Sequence, residues 1–273
     1  IALFTSLISL TSIIVVLQLN DLYKSEATLF PQKKQGETSM NSRIGGLASL
    51  AGINLNSDSN DIYISIETIR SRQFHERLIS STGILENLMA ASSYDKSSDE
   101  IVYNENIFDY EKFQWRPGKK PSFLETHSFL LDNLLIDHEK ATGRIKISFK
   151  HYSPSFSKEF LDLVLTELNS QFIEKDLLES EKSLNYLNER FASSQVSSIK
   201  VLISSMLEDQ LKKQMLIKFK EDYVFQVVDP PYLPEKKSEP KRTQIVIFFT
   251  LIGIFFGMMI SLIRYFLYSK KTI

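Results

Sequence analysis

The sequence contains no cysteine, and this absence excludes disulfide scaffolds, thiolate zinc sites, iron–sulfur clusters and a cysteine nucleophile. Net charge is also nearly absent, because 32 basic residues stand against 33 acidic ones. Without a large positive field there is little to hold nucleic-acid phosphates, so we expect no nucleic-acid partner. No Asn-x-Ser/Thr sequon occurs, which gives no support to a eukaryotic secreted protein.

Motifs that carry catalysis are missing as well. Gly118-Lys119 lacks the earlier glycine of a phosphate-binding loop, and no nucleophile elbow, zinc-protease or dinucleotide-binding pattern occurs. The histidines lie far apart without the spacing of metal ligands: His75, His127, His138 and His151. The sequence therefore predicts a protein that is not an enzyme and that uses no cofactor and no metal.

Charged residues are absent from two long stretches, 1–20 and 244–263. Each has about the ~20 residues needed to cross a ~30 Å hydrocarbon core, so we predict two transmembrane helices. The first stretch could instead be the apolar part of a signal peptide, but it exceeds the usual ~7–15 residues and no cleavage pattern follows it. Because residue 1 is Ile rather than Met, we also expect a short cytosolic leader before it.

Basic residues predict the orientation of the spans. Arg264, Lys270 and Lys271 follow the second span with no acidic residue among them. By the positive-inside tendency this tail, residues 264–273, lies in the cytoplasm. With two spans both termini then face the cytoplasm, and residues 21–241 form one domain on the outer side of the membrane.

Alternating apolar residues predict strands at both ends of this outer domain. Residues 23–31 alternate as far as Pro31, and a second run alternates from Tyr223 to Val227. We expect these two strands to pair, which would bring the two membrane connections together. Residues 129–139 and 144–151 flank a glycine turn and predict an antiparallel hairpin. The fold class is therefore α+β, with a base formed by two ranges, 21–151 and 222–229.

Other parts of the base leave alternatives open. Residues 61–91 have the apolar spacing of two helices that meet near Ser81 to Gly83. The small apolar segment after Gly45-Gly46 is either a short core helix or a loop that faces another subunit. Residues 92–122 are polar and predict a surface excursion, in which Trp115 is either a lid over a small cluster or a platform for sugar stacking.

The longest pattern is a helical region over residues 154–220, which no glycine or proline interrupts after Pro154. Unbroken, it would extend close to ~100 Å. The serine-rich stretch 193–198 is its expected bend, because serine is a poor helix former. One small domain cannot bury such a long apolar stripe, so we expect part of it to pack on a second copy of the chain. The candidate residues for this contact are Leu202, Met206 and Leu211.

A proline-rich segment, residues 230–241, leads into the second span and predicts a semi-rigid strut. The strut motif consists of Pro231, Pro234, Pro240 and Lys241. Immediately behind it, Gly253 and Gly257 form a G-x-x-x-G pair, which leaves one helical face without side chains and would let another helix approach closely.

With these features the sequence resembles the Wzz-type polysaccharide co-polymerases, the chain-length determinants of bacterial surface glycans. The proline strut and the glycine-containing span carry the resemblance most specifically. Gly45-Gly46-Leu47-Ala48 and the strand that ends at Pro31 fit the family's membrane-proximal region. The five residues between Pro234 and Pro240 are a departure from the tighter proline spacing of the family.

The resemblance implies a kinase-free, non-catalytic protein of the bacterial inner membrane. Its periplasmic domain would assemble into a ring-shaped homo-oligomer and regulate how far a polymerase extends an O-antigen or related glycan. The expected partners are the membrane, a polysaccharide polymerase and the lipid-linked glycan. One alternative is a periplasmic adaptor in capsule or exopolysaccharide export that acts with an outer-membrane channel or a separate kinase. Another is an extracytoplasmic ligand sensor, which would need a signalling domain.

Overall fold

The computed structural model of the chain describes residues 2–32, 57–80, 83–219 and 223–269. Its helices are α1 (Ala2–Gln18), α2 (Ser57–Arg70), α3 (Arg72–Ile79), α4 (Ile84–Met89), α5 (Phe123–Asn133), α6 (Pro154–Ser193), α7 (Ser197–Phe219) and α8 (Arg242–Ser269). Its strands are β1 (Tyr23–Pro31), β2 (Ala91–Asp95), β3 (Glu100–Tyr103), β4 (Phe108–Asp109), β5 (Gln114–Trp115), β6 (Leu134–Glu139), β7 (Arg144–His151) and β8 (Phe225–Asp229). The sequence predictions for Gly45-Gly46 and the small apolar segment behind them lie outside the described residues.

Four strands form one antiparallel sheet in the order β6-β7-β1-β8. The alternation predicted for β1 is confirmed, because Tyr23, Ser25, Ala27 and Leu29 are buried and the residues between them are half-buried. β1 pairs with β7 on one side and with β8 on the other. The second pairing confirms that the first and last strands of the outer domain lie side by side.

The predicted hairpin is confirmed for β6 and β7, but β6 begins only at Leu134. Residues 129–133 belong instead to α5, which starts with a capping box between Ser122 and Glu125. Leu130 lies on the inner face of α5 and is fully buried. The strand prediction was wrong there because a short apolar run satisfies a buried helix face as well as a strand.

The first half of α6 covers the buried face of the sheet. Ser153 caps this helix by accepting a hydrogen bond from Phe156 N at 3.2 Å, and Pro154 occupies the first turn. The Phe160 ring lies 4.4 Å from the Phe149 ring of β7, and both side chains are fully buried. Burial of one such ring stabilises the fold by about 1.5–3 kcal/mol, so this contact positions α6 on the sheet.

The predicted long helix is two helices that pack against each other. α6 ends at Ser193 and α7 begins at Ser197, so the break falls within the serine-rich stretch. α7 packs along α6, and Ser180 Oγ donates to Gln210 Oε1 at 3.4 Å. The return of α7 buries part of the apolar stripe within the same chain, which a straight helix could not do.

The rest of the base differs from the sequence prediction in two places. The described residues 57–80 and 83–89 form three helices rather than two, because Ser71 is extended and its Oγ caps α3 at Phe74 N. The polar excursion contains a fully buried side chain, Phe108. Trp115 packs edge-on at 5.3 Å from the Phe108 ring, and its Nε1 donates to Glu86 Oε1 at 3.1 Å. The interpretation of Trp115 as a lid over a small cluster is therefore confirmed.

Candidate functional site

The two connections to the terminal helices meet at a β-bridge between Leu22 and Glu239. Leu22 N donates to Glu239 O at 2.9 Å, and Ser238 N donates to Leu22 O at 2.8 Å. Lys150 of β7 donates to the Glu239 carboxylate at 2.6 Å. The end of the strut is therefore bound to the start of the sheet, and both ends of the outer domain leave it at the same point.

Asp21 is the centre of a charged cluster directly at the ends of the terminal helices. Arg242 Nη2 donates to Asp21 Oδ1 at 3.0 Å, and Lys237 Nζ donates to the same oxygen at 3.1 Å. Lys96, in the turn between β2 and β3, lies 5.7 Å from the centroid of the Tyr23 ring. It is close enough to Asp21 and Arg242 for the charges of both to act on its ammonium group. We call these four charged residues the Asp21 cluster.

The strut residues lie in an irregular segment along the domain surface. Ser25 Oγ donates to the Tyr232 carbonyl oxygen at 2.8 Å, which fixes the strut to β1. Pro231 and Pro234 are buried, whereas Tyr232 and Leu233 between them are 46% and 53% exposed. Pro240 is half-buried and Lys241 is exposed. The role of the four motif residues as a strut stays a prediction.

The terminal helices α1 and α8 pack against each other. Gly253 and Gly257 are buried, and a Cβ atom at Gly253 would lie 3.4 Å from Ile8 Cβ. Thr250 Oγ1 donates to Val246 O at 2.8 Å within α8 and lies 3.5 Å from Ser9 Oγ across the same contact. A functional role of the two glycines stays a prediction.

One helix among the described residues is long and apolar enough to cross a membrane, and it covers Arg242–Ile260. In α1 the apolar stretch is shorter and covers Ile8–Gln18. α8 itself continues as a helix to Ser269, so part of the predicted tail is helical. The second span is therefore supported by length and composition, and the first belongs to the proposal below.

The candidate contact residues of α7 do not share one face. Leu202 is 60% exposed, Leu211 is 49% exposed and Met206 is half-buried. Leu202 and Leu211 are nine residues apart, or about two and a half turns, so they point to opposite sides of the helix. Further exposed apolar residues of α7 were not among the contact candidates, and these are Ile199, Val201, Met215, Leu216 and Phe219. Ile199, Met215 and Phe219 belong to the apolar stripe of the sequence, but the stripe alone does not show which of its residues face α6.

Three histidines that looked scattered in the sequence are buried. His75 Nδ1 lies 2.7 Å from His127 Nδ1, and burial, together with the charge of His127, lowers the pKa of His75 to about 4. His151 Nδ1 accepts a hydrogen bond from Ser153 N at 3.1 Å, so its Nε2 donates to Asn87 O at 2.9 Å. Burial lowers the pKa of His151 to about 4. Within the described ranges no group of three or more metal-ligating side chains comes together.

Comparisons with known proteins find similarity at the level of structure. No protein-family model matches the sequence, and no curated protein matches it. Among solved structures, a full-length bacterial polysaccharide co-polymerase matches at 12% identity and a TM-score of 0.33, over 98% of this chain and 94% of that chain. A fragment of WzzB, the polysaccharide co-polymerase from Salmonella Typhimurium, matches at 12% identity and a TM-score of 0.32, over 81% of this chain and 100% of the fragment.

A mutant of WzzBSF, the lipopolysaccharide O-antigen chain-length regulator of Shigella flexneri, matches at 10% identity and a TM-score of 0.25, over 80% of this chain and 100% of that chain. These three proteins are polysaccharide co-polymerases or chain-length regulators. At these identities and TM-scores the similarity assigns no residue a role.

Proposed function

We propose that this chain is a non-catalytic scaffold of the bacterial inner membrane that regulates the length of a surface polysaccharide during polymerisation. α1 and α8 would span the membrane, residues 21–241 would form the periplasmic domain, and both termini would face the cytoplasm. Its partners would be other copies of the chain, a polysaccharide polymerase and the lipid-linked glycan.

The junction between the sheet and the terminal helices carries the scaffold part of this proposal. The Leu22–Glu239 bridge and the Asp21 cluster bind both ends of the outer domain together, and α1 packs on α8 directly beyond them. Such a junction supports a single rigid attachment of the outer domain to a helix pair. The glycan part rests on the sequence resemblance, above all on the proline strut and the span behind it.

The exposed surface of α7 supports assembly with other copies. Leu202 and Leu211 expose apolar side chains on opposite sides of one helix. A protomer in a closed ring has two neighbours and contacts them through two different surfaces. We propose that these two flanks of α7 are part of those surfaces, so that the geometry of the ring contributes to length control.

A gel profile of surface glycan tests the proposal in cells. Deletion of the gene should turn a clustered distribution of glycan lengths into a random ladder, and restoration should recover the cluster. Glycan that disappears from the surface and accumulates inside the cell would instead favour the export adaptor. Protease accessibility of the outer domain in spheroplasts, with both termini protected, tests the two-span topology separately.

A further inference from the structure

A groove between α1 and α8 opens directly at the Asp21 cluster. Its cavity of about 300 Å³ is lined by Ile13, Val16 and Leu17 of α1 and by Thr243, Val246 and Ile247 of α8, with Arg242 at the end nearest the outer domain. Below Arg242 the Thr243 hydroxyl is the single polar group of this lining, and the other side chains are apolar. Such a groove matches the chemistry of a hydrocarbon chain.

The charges at the mouth of this groove do not cancel. Lys96 comes from the turn between β2 and β3, Lys237 and Arg242 come from the end of the strut and the start of α8, and all three surround one carboxylate, that of Asp21. Three cations and one anion leave an excess of two positive charges. The side chains of Lys237 and Arg242 are 41% and 30% exposed, and Lys96 is exposed, so an anion can approach all three.

We infer that this groove binds one acyl chain of an anionic phospholipid, with the lipid phosphate at the cations of the Asp21 cluster. The inference rests on the proposed membrane topology, in which the cluster lies at the headgroups of the periplasmic leaflet. Arg242 to Ile247 covers about 8 Å of helix, so the cation lies at the headgroup level and the groove extends into the hydrocarbon. Each cation near an anionic lipid contributes about fivefold to its affinity.

Native mass spectrometry of the full-length chain in neutral detergent measures this binding directly. The probes are phosphatidylglycerol and phosphatidylcholine with identical acyl chains, which differ in net charge. The wild-type chain should bind phosphatidylglycerol at least about fivefold more tightly. Arg242→Gln should remove about fivefold of its affinity for phosphatidylglycerol, and Lys96→Gln, which loses no hydrogen bond to Asp21, should weaken it in the same direction.

Matched variants distinguish lipid binding in the groove from nonspecific attraction of anionic lipids to exposed cations. Lys241→Gln removes an exposed cation next to Arg242 but outside the groove, and it should leave the preference unchanged. Val246→Trp fills the groove and should lower the affinity for both lipids equally. Leu251→Trp places the same side chain at a 61% exposed position of α8 and should leave the affinity for both lipids unchanged. Equal binding of the two lipids, or an equal loss with Lys241→Gln and Arg242→Gln, would overturn the inference.

The occupant and the proposed function are tested apart. Tighter binding of a polyprenyl phosphate than of phosphatidylglycerol would overturn the assignment to a bilayer phospholipid and assign the groove to a carrier lipid. The binding measurement requires no glycan assay, so its failure leaves the glycan-length proposal to the gel profile. A random ladder that persists after restoration would contradict that proposal without touching the lipid measurement.

Discussion

At the scale of single residues, the buried His151 links the fold to pH. The native state holds its imidazole neutral with a pKa of about 4, against 6.5 for an ordinary histidine. Between these values the unfolded chain binds more protons than the folded one, so stability is full above pH 6.5 and falls as the pH drops towards 4. Protonation of His151 in the unfolded chain should therefore lower the free energy of unfolding by about 3 kcal/mol between pH 6.5 and pH 4.

Replacement by a side chain that does not titrate isolates this contribution. His151→Gln should lower stability at pH 7, because the bonds to Ser153 N and Asn87 O are disturbed. Between pH 6.5 and 4 the free energy of unfolding of this variant should also decrease by about 3 kcal/mol less than that of the wild type. Guanidinium unfolding of the detergent-solubilised chain, followed by Trp115 fluorescence, measures both effects. Parallel pH profiles for the two proteins would contradict the assignment.

At the scale of elements, the contact between α1 and α8 depends on the missing side chain at Gly253. A Cβ atom there would reach Ile8 Cβ at 3.4 Å, which is an ordinary contact, so Gly253→Ala should keep the helices together. Gly253→Leu adds three further carbons and should force the helices apart, at a cost of about 1–3 kcal/mol.

Disulfide cross-linking can measure this contact, because the chain has no cysteine of its own. Ser9 Oγ and Thr250 Oγ1 lie 3.5 Å apart, so Ser9→Cys with Thr250→Cys should form a cross-link between α1 and α8. The yield should fall several-fold when Gly253→Leu is added and should persist with Gly253→Ala. Equal yields in both backgrounds would show that close packing at Gly253 is not required.

The helical hairpin of α6 and α7 offers a second element-scale test. Ile217 is 1% exposed and its neighbour Leu216 is 39% exposed. Ile217→Asp would bury an unpaired carboxylate and should destabilise the hairpin by several kcal/mol. Leu216→Asp leaves its charge at a partly exposed position and removes only the partial burial of Leu216, so it should cost about 1 kcal/mol. Thermal unfolding followed by circular dichroism distinguishes them, and similar losses would place Ile217 outside the core.

Elements were predictable from the sequence wherever one periodicity of apolar residues runs through a whole element, as in β1. The return of α7 along α6 was not predictable, because the same apolar stripe is compatible with a straight helix and with a helical hairpin. The choice depends on contacts such as Ser180 with Gln210, which no local spacing reveals. The Asp21 cluster was even less predictable from the sequence, because it brings together charged residues from three distant parts of the chain.

At the scale of the whole molecule, the proposed ring requires two different contact surfaces on each protomer. Leu202 and Leu211 lie on opposite flanks of α7, about 13 Å apart along its axis. In a ring, the Leu202 flank of one protomer would meet the Leu211 flank of the next. In a two-fold dimer, by contrast, the same patch meets itself. Charge substitutions at the two positions therefore distinguish these arrangements.

Every contact in the proposed ring joins a Leu202 flank to a Leu211 flank. Leu202→Asp alone should disrupt the first flank and Leu211→Asp alone the second, so each variant should be monomeric in detergent. An equimolar mixture should form heterodimers, because the intact flank of one variant can meet the intact flank of the other. Light scattering after size-exclusion chromatography gives these masses, with Leu124→Asp, which is equally exposed at 60%, as the control that keeps the oligomer. Dimers formed by either variant alone would contradict the head-to-tail ring, because they require a patch that binds itself.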